Sequence, residues 1–252
     1  MKAIHSIPLM LATVALLVLS VPVSASEMDD RIESSARESY VFKTFLKGDD
    51  INIQSKDGAV TLTGVVSGES RRGLAKETVA GLPGVSSVDN RLEVKGAFPT
   101  PNSDAWLREK VKATLLFRRN VSAYTTEVDV KGGIVTLRGD AASQAQKELT
   151  AEYAKDVEGV KEVKNEMTVS NTAEMTMARV VAKIDDASIT AQIKMTLLFH
   201  RSTSALSTKV ETKDGAVTMY GKASNAAEKD LVTKLGNDIN GVKSVNNRMT
   251  IE

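Results

Sequence analysis

A glycine and valine pattern occurs three times along this chain in one register, and it limits the fold before any single element is assigned. The strings DGAVTLTG (57–64), GGIVTLRG (132–139) and DGAVTMYG (214–221) are near copies. Each is followed at the same distance by GVSSVDNRLEV (84–94), GVKEVKNEMTV (159–169) or GVKSVNNRMTI (241–251). Gly58, Gly64, Gly84 and Asn90 return as Gly133, Gly139, Gly159 and Asn165, then as Gly215, Gly221, Gly241 and Asn247. Chance does not keep that spacing through every copy. Upstream, the same offsets align Asp29 with Asp104 and Asp186, Ile32 with Leu107 and Ile189, and Phe42 with Phe117 and Phe199. The repeat therefore runs from that aspartate to the last apolar strand.

Periodicity gives the order of elements within one repeat. In the second copy Asp104 predicts an N-cap, and Leu107, Val111, Thr114 and Leu115 share one face of a helix ending near Phe117. Two short strand-like runs then flank Gly132-Gly133, matched by Asp57-Gly58 and Asp214-Gly215. Those dipeptides suit the positive φ angles of a two-residue type I′ turn. A second helix follows, with Leu149, Tyr153 and Val157 on one face, as are Leu74, Thr78 and Leu82, or Leu231, Leu235 and Ile239. Gly159 predicts its C-terminal cap, and the alternation of Val163, Asn165, Met167 and Val169 predicts a last strand.

The expected fold is α+β: three tandem αββαβ modules, each a three-stranded sheet covered on one face by two helices. The expected layout is a signal peptide at 1–25, module 1 at 26–95, a linker at 96–103, module 2 at 104–169, a second linker at 170–185 with helix-forming composition, and module 3 at 186–252. The recurrent Gly58, Gly64, Gly84, Gly133, Gly139, Gly159, Gly215, Gly221 and Gly241 are assigned to turns and caps. Gly68, Gly73 and Gly81 lie in or near the second helix of module 1. They predict that this copy is the least stable, because an interior glycine costs about 1 kcal/mol against alanine.

The N-terminal segment is of another kind. Lys2 is followed by an apolar run at 7–23 and by Val23-Ser24-Ala25, which offers the small residues a signal peptidase requires. A membrane anchor is the alternative, but the run is short for a span of roughly 20 residues and contains Pro8 and Pro22. Export with cleavage after Ala25 is therefore expected. The chain has no cysteine, so neither lipidation of a new N-terminus nor a disulfide is available.

Charge and composition narrow the function classes. With 33 basic and 32 acidic residues the chain lacks the basic excess of a nucleic-acid reader, so no nucleic-acid partner is expected. Of two histidines, His5 lies in the leader, and one imidazole supplies neither a catalytic triad nor a histidine-rich metal site. No enzyme activity, cofactor or metal is expected. His200 reads as a solvated residue at a helix end. Gly215 and Gly221 bracket a strand and stand too far apart for a phosphate-binding loop.

The repeat resembles the BON domain, a bacterial module usually found in pairs behind a signal peptide. The carrying residues are Asp104, Leu107, Gly133, Val135, Leu137, Gly139, Gly159-Val160, Val163 and Asn165, with their equivalents in the other copies. The resemblance implies a periplasmic or envelope protein, associated with osmotic or envelope stress, whose modules contact anionic phospholipid surfaces. The alternative it implies is a soluble periplasmic chaperone that shields unfolded envelope proteins. Three copies instead of two depart from the usual pattern.

Residues that differ among the copies are candidates for function. Trp106 is the single tryptophan, and its counterparts are Arg31 and Ser188. With Lys110, Arg118 and Arg119 it forms a candidate lipid-contact set, an amphipathic aromatic flanked by cations as headgroup layers favour. Two plainer readings stand beside it. Trp106 can cover its own core or a neighbouring module, and Arg118-Arg119 can complement the negative end of the helix.

Overall fold

The structure is a computed structural model that describes residues 23–96, 100, 102–121, 123–170, 183–203 and 208–252. Residues 1–22, which carry most of the expected signal peptide, and 171–182, where the second linker was expected to be helical, lie outside the described residues. Most of the first linker's interior, 97–99 and 101, does too.

Module 1 contains α1 (Val23–Glu38), α2 (Tyr40–Thr44), β1 (Asp50–Lys56), β2 (Ala59–Val66), α3 (Glu69–Ala80) and β3 (Ser87–Val94). Module 2 contains α4 (Asp104–Leu116), β4 (Thr126–Lys131), β5 (Ile134–Ala141), α5 (Gln144–Lys155), β6 (Glu162–Asn165) and β7 (Thr168–Val169). Module 3 contains α6 (Asp186–Phe199), β8 (Thr208–Lys213), β9 (Ala216–Ala223), α7 (Ala226–Asn237), β10 (Ser244–Asn247) and β11 (Thr250–Ile251). The chain is thus α+β, with the αββαβ order in each copy once α1 and α2 are counted as two pieces of one first helix. In every sheet the first two strands form an antiparallel hairpin, and the last strand returns parallel to the central one through the second helix. In modules 2 and 3 that last strand is broken into two short pieces, both paired to the central strand.

The hairpin turns have positive φ at both central residues, 53° and 77° at Asp57-Gly58, 62° and 83° at Gly132-Gly133, and 52° and 79° at Asp214-Gly215, as a type I′ turn requires. The recurrent aspartate does not cap its helix. Ser103 is the N-cap of α4, accepting from Trp106 N, and Asp185 caps α6. The carboxylate of Asp104 instead reaches across to the hairpin and accepts from Gly132 N (2.7 Å) and Gly133 N (3.0 Å). Asp29 does the same with Asp57 N and Gly58 N, and Asp186 with Asp214 N and Gly215 N. A turn with both φ positive points its two amides outward together, so one carboxylate saturates them. These bonds hold the Asp104 carboxyl below the usual carboxylate range.

The recurrent asparagine has an equally local role. Asn165 Nδ2 donates to Lys147 O of α5 (2.7 Å), and its Oδ1 accepts from Met167 N (3.3 Å), where the strand breaks. Asn90 and Asn247 repeat both bonds. Gly159 is not the cap of α5. That helix ends at Lys155 with Asp156 as its C-cap, and Gly159, at φ 95°, turns the chain toward β6.

The cores are not three equal units. Leu107, Val111, Leu115, Val135, Leu137, Tyr153 and Met167 are among the residues of a core confined to module 2. A second core runs without interruption from module 1 into module 3 and takes in Ala113 and Phe117 of module 2.

Candidate functional site

Modules 2 and 3 meet through equivalent residues. The end of α4 runs antiparallel to the end of α7, so that Arg119 N donates to Asp238 O (3.1 Å) and Asn240 N to Phe117 O (3.0 Å). The end of α6 runs antiparallel to the end of α5, where Arg201 N donates to Asp156 O (3.1 Å) and Glu158 N to Phe199 O (3.0 Å). The two sets are the same bonds with the modules exchanged, a pseudo-two-fold joint within one chain. Both arginines complete it. The Arg119 guanidinium donates to Ile239 O (2.9 Å) and Val242 O (2.7 Å), and that of Arg201 to Lys155 O and to Val160 O (3.0 Å).

The centre of the joint is polar and closed. Arg118 is 3 % exposed, donates to Leu235 O (3.2 Å), stands 3.9 Å from Asp238 Oδ2 and lies over the Tyr153 ring at 4.3 Å. In the equivalent place His200 is 8 % exposed, with Nε2 3.8 Å from Asp156 Oδ2 and Nδ1 accepting from Ser202 N (3.1 Å). Burial lowers the His200 pKa, with the attraction of Asp156 opposing and the nearby Arg118 and Arg201 reinforcing the shift. Burial also pushes the Tyr153 phenol well above its ordinary value.

The four residues expected to contact lipid are therefore differently placed than their sequence suggests. Lys110 is 3 % exposed; its ammonium lies 4.1 Å above the Trp106 ring and 3.2 Å from Glu158 Oε2. Arg118 is buried, and the guanidinium of Arg119 is spent on carbonyls of module 3. An expectation of three cations turned to headgroups is corrected for Lys110 and Arg118 by this burial, which a helical wheel of one module cannot show. The reading of His200 as solvated is corrected for the same reason. Trp106 is half-buried and lines a depression with Phe199, Met195 and Leu198 of module 3.

Module 1 docks elsewhere. Helix α3 lies along α6, with Lys194 Nζ 2.8 Å from Glu77 Oε2. A Cβ at Gly73 would come within 3.2 Å of Met195 Cε, and one at Gly81 within 3.3 Å of the Ala187 Cα. The glycines that read as a weakness are what lets the two helices approach. The first helix of module 1 breaks at Ser39, and the freed amides of Tyr40 and Val41 donate to Asp185 Oδ2 (2.7 Å) and Ser188 Oγ (3.1 Å) at the start of α6. Sequence reasoning missed this contact. The signals available were Gly73 and Gly81 themselves, which become Glu148 and Asp156 in the second copy and Asp230 and Asp238 in the third.

Between modules 1 and 3 a groove opens beside α3. Its apolar floor is Met195 and Leu198, the latter 49 % exposed, and it holds about 440 Å³. Arg72, Lys76 and Lys194 line it together with Glu69 and Glu77. The depression under Trp106 shares Glu69, Gly73, Met195 and Leu198 with it, so the two are continuous.

The BON domain family model matches residues 28–96, 103–171 and 185–252. The chain is 33% identical over 160 residues to osmotically-inducible protein Y of Escherichia coli, covering 64% of this chain and 77% of that protein. It is 32% identical over 115 residues to the outer membrane lipoprotein DolP of Haemophilus influenzae and to the 21 kDa hemolysin of Actinobacillus pleuropneumoniae, in both cases 45% of this chain and 59% of the relative. A solved structure of CdsD, described as a structural protein of the type III secretion system of Chlamydia trachomatis, aligns at 16% identity over 88% of this chain and 90% of that one, with a TM-score of 0.25 that supports no structural argument. Three matches that together take in nearly all of residues 28–252 establish that this chain belongs to the BON domain family.

Proposed function

We propose that this chain is an exported envelope protein of osmotic stress that acts by binding, without catalysis, and that shields apolar segments of unfolded envelope proteins in the groove beside α3. The observation that carries this reading is the form of the groove: a concave apolar floor at Leu198 and Met195, rimmed by side chains of both signs. An extended polypeptide presents apolar side chains along one line and peptide dipoles along its flanks, and such a rim suits it. An anionic bilayer selects for unbroken positive charge. The osmotically-inducible and outer-membrane relatives support an envelope location, and the sequence at 1–25 supports export with cleavage after Ala25. His200, the one histidine beyond the leader, is taken up inside a module joint, which supports a binding role over acid–base chemistry.

A second reading, peripheral contact with anionic phospholipid, is favoured by one feature. Arg72, Lys76 and Lys194 stand beside the exposed Leu198, with Trp106 at the far end of the same depression. The two are separated by pairing client protection with liposome sedimentation. Suppression of the aggregation of reduced lysozyme should be lost in Leu198→Glu, while sedimentation with phosphatidylglycerol vesicles should be no greater than with phosphatidylcholine vesicles. Full protection by Leu198→Glu would refute the groove as the client site. Salt-sensitive binding to phosphatidylglycerol alone would transfer the function to the lipid reading.

A further inference from the structure

The joint between modules 2 and 3 is symmetric in its backbone bonds and asymmetric at its centre. Thr114 pairs with Thr196 and Asp156 with Asp238 across the pseudo-two-fold, but Arg118 is matched by His200. Each cation faces the carboxylate of the opposite module, Arg118 toward Asp238 and His200 toward Asp156. One of these charges is permanent, and the other depends on a proton.

We propose that this joint is an acid-sensitive latch, closed while His200 is neutral and loosened when His200 takes a proton. The geometry favours the neutral ring. Nδ1 accepts from Ser202 N, so a proton placed there turns an acceptor into a donor facing another donor. Nε2 carries the remaining hydrogen and is buried without a hydrogen-bond partner among the described residues, since Asp156 Oδ2 stands 3.8 Å away. Arg118 Nε, a donor on a second and permanent cation, is likewise buried without a hydrogen-bond partner among the described residues. A closed polar centre of this kind has little to offer a new charge.

The charged and titratable groups around the ring come from every element packed there. The segment after α5 supplies Asp156 and, further out, Glu158 paired to Lys110; α5 itself supplies Tyr153. The end of α4 supplies Arg118, the turn after α6 supplies Arg201, and the end of α7 supplies Asp238, which is matched by Arg118. Asp156 is the single attraction set against burial and two guanidinium groups. With the folded pKa below the ordinary 6.5, the unfolded chain binds the proton more readily. The joint's stability is then full above about pH 6.5 and is lost as the pH falls from there through the folded value.

The full chain supplies its own probes. Trp106, its single tryptophan, lies against Lys110 and the module 3 side of the joint, and the absence of cysteine lets Glu148→Cys and Asp230→Cys, at equivalent places on α5 and α7, carry a donor and acceptor dye. Between pH 7.5 and 5.0 the Trp106 emission should move to longer wavelength and energy transfer should fall. In His200→Asn, whose amide oxygen can still accept from Ser202 N but cannot be protonated, both signals should stay flat. Unchanged transfer in the parent chain across that range would overturn the proposal whatever the variant does. A parent midpoint near 4, where carboxylates titrate, would overturn it too, as would an identical transition in His200→Asn.

Discussion

Modules 2 and 3 present the same surface to each other, while module 1, built on the same αββαβ plan, reaches module 3 through a different one. Three positions account for the difference. Where the reciprocal joint has Arg119 and Arg201, module 1 has Thr44; where it has Asp156 and Asp238, module 1 has Gly81; and where Glu158 and Asn240 donate their amides, module 1 has Pro83, which has no N–H. Those replacements remove the guanidinium, the carboxylate and one backbone bond from the joint while leaving the fold intact. Gly73 and Gly81 instead give α3 the close approach to α6 that a larger residue would block. The repeated fold fixes what each module is, and a few unrepeated residues fix what each module touches.

The sharpest way to break this comparison is at its centre. Arg118→Ala should destabilise the chain by about 2–4 kcal/mol, since it strips a buried guanidinium from Leu235 O, the Tyr153 ring and Asp238. The equivalent Lys43→Ala should change stability by no more than about 0.5 kcal/mol, because Lys43 is exposed and its ion pair is with the exposed Glu38. Denaturant unfolding of the two variants compares them directly, and similar losses would mean that module 1 has a matching joint.

Next in size is the docking of module 1. Gly81→Val should cost about 2 kcal/mol, because its Cβ meets the backbone of Ala187, which cannot step aside. Gly73→Ala meets only the flexible end of Met195 and should be neutral or stabilise by about 0.5 kcal/mol through helix propensity. Thermal melts of both variants test whether α3 lies against α6 as described. Within the reciprocal joint, Arg119→Ala and Arg201→Ala should each cost about 1–2 kcal/mol from lost bonds to carbonyls. Their double variant should lose less than the sum, since opening one half of the joint weakens the other. Away from the joints, Gly133→Val should cost about 1 kcal/mol or slightly more by forcing a β-branched residue to a φ of 83°. Unfolding of the full chain followed at module 2 amides should show it.

The fold was almost wholly legible in the sequence because its determinants recur. A type I′ turn requires residues that tolerate positive φ, and seeing Gly58, Gly133 and Gly215 at one offset separates that requirement from chance. Asp104 recurs as plainly, but its bond is not legible, since an aspartate at a helix start looks the same whether it caps the helix or holds a distant turn. The candidate site was less legible. Lys110, Arg118 and His200 belong to contacts between modules, and the pattern of one helix carries no record of what packs on it from elsewhere in the chain. What the sequence did show was their difference among copies. That difference marks contact surfaces, and the surface it marked at Arg118 and Arg119 is a joint inside the molecule.

The reciprocal joint is tested most directly by amide hydrogen exchange of the full chain at neutral pH, resolved by NMR at Arg119, Glu158, Arg201 and Asn240. None of these amides lies in a helix or strand of its own module, and each donates to a carbonyl of the other module. All four should be protected together, at rates approaching those of core amides such as Val135 and Val217. Exchange at the rate of open loops at these four positions, with the cores still protected, would show modules 2 and 3 folded as described but not joined to each other.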